Sequence, residues 1–150
     1  MAGWGGAFAL VGGDAAAAAG VENNAGRLLV FKLGGEAELP GFEAKAVPVT
    51  AIAEAPDPEL VARGSQLFHR WCAVCHGFGA VGGGVVPDLR RSDPKLYAVL
   101  PDIVLAGALR GNGMPSFEKW LGAADVAAIR AYLVSQRNAL ARAAAPAGGS

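Results

Sequence analysis

The sequence predicts a small all-α unit over residues 57–141, preceded by a short strand and an extended connector. Three observations carry this reading. From Asp57 onward, apolar residues recur at three- and four-residue steps. From Gly34 to Pro58, prolines at 40, 48, 56 and 58 deny the chain a helix or a central strand. One branched and aromatic run, Leu28 to Leu33, is bounded on both sides by glycines, as strands commonly are. The expected division is therefore residues 1–33, a connector over 34–56, the helical unit over 57–141, and a disordered tail over 142–150. No internal repeat is visible.

The strand lies in "GRLLVFKLGG". A strand needs neighbours for its backbone donors and acceptors, and the chain offers no good second strand. Its partner is expected to lie outside this sequence. The opening, "MAGWGGAFALVGGDAAAAAG", lacks the basic start of a secretion signal, and Gly5, Gly6, Gly12, Gly13 and Asp14 interrupt any apolar core. It reads as starting in mid-structure, as a piece of something longer would. In the connector, Leu39, Phe42, Val47 and Ile52 are single apolar residues, each able to dock on a surface. The connector is expected to lie along a folded body.

The helical unit begins at "DPELVARGSQLFHRWC", with an acidic start and Pro58 suited to a first turn. Leu60, Gly64, Leu67, Phe68 and Trp71 form one face. "DPKLYAVL" and "PDIVLAGALRG" predict two short helices, and "GAADVAAIRAYLVSQRNAL" a longer final one. Val126, Ile129, Tyr132 and Leu133 form its inward face. Gly122 stands where a Ser or Thr cap is common, a loss of a few tenths of a kcal/mol.

Thirteen basic residues balance thirteen acidic ones, which argues against nucleic acid or an anionic membrane as partner. No uninterrupted apolar run approaches the roughly 18 residues of a membrane span. Although 53% of the chain is apolar, much of that is alanine, so the aliphatic core is thin. Domains this small often recruit a metal or another staple.

Both cysteines of the chain fall in "WCAVCHG". C-x-x-C-H is the attachment pattern for c-type haem. Two thiols three residues apart at a helix end can reach the two vinyl groups on one porphyrin edge, each forming a thioether. Cys72 and Cys75 are then the covalent anchors, and His76 presents an imidazole nitrogen to the iron. Three rival readings exist. A dithiol or disulfide site needs only C-x-x-C, normally at a helix start, and leaves His76 idle. A zinc site from His69, Cys72, Cys75 and His76 would crowd its ligands into one segment, whereas paired clusters usually come from two. Chance occurrence is the third.

An electron-transferring haem usually has a sixth protein ligand. Methionine occurs only at positions 1 and 114. Met114 lies in "RGNGMPSF", where Gly111 and Gly113 let a backbone approach a flat ring and Pro115 stiffens the loop. A lone methionine is most often core filler. In this setting, downstream of C-x-x-C-H, the axial-ligand reading outweighs it, and His/Met ligation raises a reduction potential. His69 precedes Cys72 on the same helix and reads as a surface or supporting residue. In "VVPDLRRS", the Pro87 carbonyl can take the free N–H of His76, Leu89 can pack on the ring, and Arg90 or Arg91 can pair with a propionate. For each arginine a solvated surface role is at least as common. Trp71, Phe117 and Trp120 read as packing rather than as electron relays.

With these residues in view, "WCAVCHG", "VPDLRRS", "GNGMPSF" and the final helix with Tyr132 resemble the class I cytochrome c family. The resemblance implies that the first and last helices cross, with Gly64 and Phe68 against Tyr132. "AGWGGAFAL", "NNAGRLLVFKLGGEAELP" and the proline-rich connector resemble the C-terminal end of quinohaemoprotein alcohol dehydrogenases. That family joins a β-propeller, which binds pyrroloquinoline quinone (PQQ) and calcium, to a cytochrome c domain. It implies that residues 1–33 are a propeller remnant and that Leu28–Leu33 is one of its closing strands. Gly3 and Trp4 resemble a pair near the quinone, with no role assigned. The family's catalytic aspartate, calcium ligands and most quinone contacts have no counterpart here, so this piece is not expected to oxidise alcohols.

The implied function is electron transfer through haem c, from the PQQ site of the intact enzyme to an external quinone or small redox protein. The implied location is the periplasm, since thioether attachment happens outside the cytoplasm. A free-standing small periplasmic cytochrome c and a haem-free zinc or dithiol module stay as alternatives. Without haem the helical unit is expected to be largely unfolded.

Overall fold

The structure is a computed structural model that describes residues 30–38, 48–82 and 86–144. Among these residues the only regular elements are helices, with no strand. Helix α1 spans Pro58–Trp71 and runs into a one-turn helix, α2, over Ala73–His76. Two five-residue helices follow, α3 over Pro94–Ala98 and α4 over Leu100–Val104. The long final helix, α5, spans Ala123–Ala144. Three single turns of 3₁₀ helix, Phe78–Ala80, Leu89–Arg91 and Arg110–Asn112, join these elements.

Helix starts follow local chemistry. The Asp57 carboxylate accepts from the backbone N–H groups of Glu59 and Leu60, with Pro58 in the first turn. Asp93 does the same for α3 by accepting from Lys95, ahead of Pro94. At α5, Gly122 supplies no side-chain cap. Instead the Asp125 carboxylate reaches back to the Gly122 N–H at 2.9 Å, one half of a capping box. It also pairs with Arg63 of α1 at 2.6 Å, tying the two long helices together at one end.

The core is the crossing of α1 and α5. Phe68, Val126, Ile129, Leu133 and Val134 are fully buried there. A Cβ at Gly64 would overlap the Ala128 carbonyl and come within 3.0 Å of Tyr132 Cβ, so only glycine permits this approach. One turn on, the Phe68 and Tyr132 rings meet at 5.3 Å. The expected contact of Gly64 and Phe68 with Tyr132 is therefore present. Tyr97, Leu100, Val104 and Leu121 complete the core from the middle of the chain.

Two expectations need correction. The strand of Leu28–Leu33 is not formed over its described part. Val30, Phe31 and Leu33 are exposed, and a turn closes with the Gly35 N–H donating to Lys32 at 3.0 Å. A run of strand-forming residues has no strand to form without a second edge to pair with. The final helix also continues to Ala144, past the expected end at Ala141, because its alanines favour helix. Residues 1–29 and the remainder of the tail, 145–150, lie outside the described residues, as do Leu39, Phe42 and Val47 of the connector.

The described end of the connector does lie along the helical body. Ile52 packs against the core. Its N–H donates to the Asn138 side-chain oxygen at 2.8 Å, and the Asn138 amide donates to the carbonyls of Ile52 at 3.0 Å and Glu54 at 3.2 Å. Arg130 holds the Glu54 carboxylate with two bonds of 2.7 and 2.8 Å.

Candidate functional site

The Cys-x-x-Cys-His segment occupies the break between α1 and α2. Cys72 ends α1 with its N–H donating to Phe68 at 2.8 Å, then turns the chain at φ −112°. Its carbonyl accepts from Cys75 at 3.1 Å and from His76 at 2.9 Å, closing the short helix that carries them. Gly77 then leaves at φ +77°, which a side chain would resist. The fully buried Ala80 holds φ +64°, at a cost of about 1 kcal/mol.

This geometry separates the two thiols. Cys72 is buried in the core and Cys75 is exposed, and they are not bonded to each other. Burial, with a smaller contribution from Cys75, pushes the Cys72 thiol up to about 12. A dithiol redox pair needs the reverse, a thiolate favoured near neutral pH. The zinc reading also fails on placement. Among the described residues no three His, Cys, Asp or Glu side chains come together to hold a metal ion.

His76 is half-buried at the end of α2. Burial holds its imidazole below the usual histidine range, and the Pro87 backbone oxygen opposes that shift. The Pro87 backbone oxygen thus lies near the imidazole, while Nδ1 is buried with no hydrogen-bond partner. The loop bringing Pro87 in is tight: a Cβ at Gly82 would overlap the backbone of Val86, Pro87 and Asp88.

Leu89 packs against the core, and its carbonyl accepts from the Tyr97 hydroxyl at 2.6 Å. Arg90 is committed locally, with two bonds to the Asp88 carboxylate at 3.0 and 2.6 Å. Arg91 lies 3.6 Å from the same carboxylate. Met114 is half-buried and packs against the core from the loop after α4. That loop is held by the Met114 N–H donating to Leu109 at 3.3 Å and the Phe117 N–H donating to Val104 at 2.8 Å. Gly113 needs its left-handed φ of +92°, whereas a Cβ at Gly111 would meet only open space. Nothing among the described residues demands glycine at 111.

His69 stays on the outer face of α1, away from Cys72 in role. Its Nδ1 is 2.7 Å from the Ser65 carbonyl, and its ring stacks on Phe78 at 5.7 Å. Trp71 stacks on Trp120 at 5.8 Å and meets Phe117 edge-on. Trp71 and Phe117 pack on the core, while Trp120 is largely exposed.

Sequence reasoning missed Arg137. It is buried on α5 and donates to three backbone carbonyls, of Thr50 at 2.9 Å, Arg90 at 3.1 Å and Ser92 at 2.7 Å. A signal existed. Val126, Ile129 and Leu133 mark the apolar stripe of α5, and Arg137 continues it at the next four-residue step.

Comparison with known proteins places this arrangement. Residues 59–133 match the family described as Cytochrome C oxidase, cbb3-type, subunit III. The chain is 43% identical over 143 residues to the quinohemoprotein alcohol dehydrogenase ADH IIB of Pseudomonas putida, covering 91% of this chain and 20% of that protein. It is 33% identical to the dehydrogenase subunit of the quinone alcohol dehydrogenase of Gluconobacter oxydans, covering 91% and 18%. The chain therefore spans about a fifth of the length of these relatives. Among solved structures, that of quinohemoprotein alcohol dehydrogenase ADHIIG from Pseudomonas putida HK5 superposes with a TM-score of 0.63 at 32% identity, covering 74% of this chain and 16% of that one. The chain belongs to the family of the cbb3-type subunit III, and is a cytochrome c domain for haem-mediated electron transfer, similar to those of quinohemoprotein alcohol dehydrogenases.

Proposed function

We propose that this chain is the electron-transfer portion of a periplasmic PQQ-dependent alcohol dehydrogenase, with residues 1–33 belonging to a propeller, 34–56 to a connector and 57–141 to the cytochrome. Its role is to relay electrons from the PQQ site of that enzyme to an external acceptor, a quinone or a small redox protein. PQQ and calcium belong to the intact enzyme. Among the described residues no helix is long and apolar enough to cross a membrane.

The observation that carries the reading is the state of the Cys-x-x-Cys-His segment. Cys72 is a buried thiol, Cys75 is accessible, and His76 follows on the same turn with a buried Nδ1 that has no hydrogen-bond partner. That donor set would fit haem c: Cys72 and Cys75 would form the thioether bonds, and His76 and Met114 would offer an imidazole and a thioether to the iron. Bound haem supplies a one-electron iron couple, and the protein does no bond chemistry of its own.

The work of the chain is positional. The α1–α2 break sets Cys72 and Cys75 one short turn apart, the first buried and the second open, with His76 directly after them. Burial keeps His76 neutral, the form that ligates. The Pro87 backbone oxygen lies near the imidazole, Leu89 packs against the core, and the loop after α4 packs Met114 against it. Asp88 keeps the Arg90 guanidinium in place beside this loop.

The test is a haemochrome spectrum of the denatured chain, expressed in a periplasm with haem-maturation machinery. A c-type signal that survives denaturation is expected, and it should vanish in a Cys72→Ala, Cys75→Ala variant. No haem in the unaltered chain, with a control cytochrome matured alongside, would sink the proposal.

A further inference from the structure

Arg137 is a buried cation whose three hydrogen bonds all go to backbone carbonyls. Among the described residues no carboxylate forms an ion pair with it. A buried guanidinium left short of partners is costly, so each of these carbonyls is held firmly. They come from two segments far apart in sequence. Thr50 belongs to the connector, and Arg90 and Ser92 flank the 3₁₀ turn that starts at Leu89. That turn is fixed from its other side by the Tyr97 hydroxyl on the Leu89 carbonyl, and the Arg137 guanidinium lies over the Tyr97 ring at 6.0 Å. Its N-terminal cap is Asp88, the residue after Pro87.

The connector side is equally specific. Thr50, Ile52 and Glu54 are alternate residues of a segment that bends at Ala53, and they meet three side chains of α5: Arg137, Asn138 and Arg130. The Asn138 amide pairs with the Ile52 backbone through both donor and acceptor, as a neighbouring strand would.

We propose that Arg137 is a positioning residue that joins the connector to the Pro87–Ser92 turn behind His76, so that seating of residues 50–54 on α5 helps to set the surroundings of the histidine. The connector is then an arm of the cytochrome rather than a passive tether, and strain applied to it by the rest of a longer chain reaches the site through one side chain. This rests on the proposed role of His76 as iron ligand.

The test uses the full chain and amide hydrogen exchange, which reads residues 48–56 and 86–93 whether or not haem is bound. Asn138→Ala frees the connector without touching the turn. It should lower protection of residues 50–54 on the order of tenfold, and protection of 86–93 should fall with it. Arg137→Lys keeps the charge but loses the fork, and should deprotect both segments. In haem-loaded protein, both variants should shift the midpoint potential in the same direction. Loss of connector protection in Asn138→Ala with 86–93 and the potential unchanged would overturn the coupling. So would an unprotected connector in the unaltered chain. A chain that never acquires haem counts against the proposed function, and it is recognised separately from its spectrum.

Discussion

The α1–α5 crossing and the segment between its helices, Gly77 to Leu121, are built on different terms. The crossing makes its own core. The largest fully buried side chains, Phe68, Ile129, Leu133, Val126 and Val134, all lie on one of its two helices. The intervening segment consists of helical pieces of three to five residues, too short to persist alone. It leaves Phe78, Leu96, Val99 and Leu109 exposed. Its order comes from a few core residues, Tyr97, Leu100, Val104 and Leu121, and from particular anchors: Asp88 and Asp93 as caps, Tyr97 on Leu89, Phe117 on Val104 and Arg137 on the Leu89 turn. The scaffold is held by area, and the site-bearing segment by less area and more by single bonds. One side chain therefore means little to the first, unless it blocks the crossing, and much to the second.

The sharpest way to break this contrast is at Gly64. Gly64→Ala sets a Cβ against the Ala128 carbonyl and forces α1 away from α5. Despite the better helix propensity of alanine, a net loss of about 2–3 kcal/mol is expected in denaturant unfolding. An unchanged midpoint would mean the helices do not approach as closely as described.

Met114→Ala probes the other region. The half-buried thioether contributes packing of about 1–2 kcal/mol. The larger signature is spectroscopic: haem stays attached while the midpoint potential falls, because a thioether ligand raises it. Redox titration checks this, and an unchanged potential would remove Met114 from the iron.

The smallest effect is acid loss at the outer ties. The Arg130 guanidinium holds the Glu54 carboxyl below its ordinary 4.5. The Gly122 N–H, then Arg63, hold Asp125 below its ordinary 3.8. Because both folded values are depressed, the stabilisation is complete above those ordinary values and is lost as pH falls through the depressed ones. At this exposure each tie is worth about 0.5 kcal/mol. Unfolding of Glu54→Gln and Asp125→Asn variants at pH 7 and pH 3 checks it: the difference from the unaltered chain should shrink at the lower pH.

The sequence by itself determined the motif and the helix starts, and the helix crossing was what its family resemblance implied. Cys72, Cys75 and His76 are adjacent in the chain, so their chemistry needs no fold to be seen. Asp57 with Pro58 and Asp93 with Pro94 mark helix starts because capping is local, within three residues. The stripe of Val126, Ile129 and Leu133 is periodic, and periodicity survives in one dimension. Only the tertiary structure decided that Cys72 is buried while Cys75 is open, since burial is a property of what packs around a residue. It likewise decided that the strand-like run at residues 30–33 forms no strand, because pairing needs a second edge. Arg137 and Asn138 are the clearest case. Each was a polar residue on a helix, and their meaning lay in backbone carbonyls more than forty residues away, which carry no side-chain signature to read.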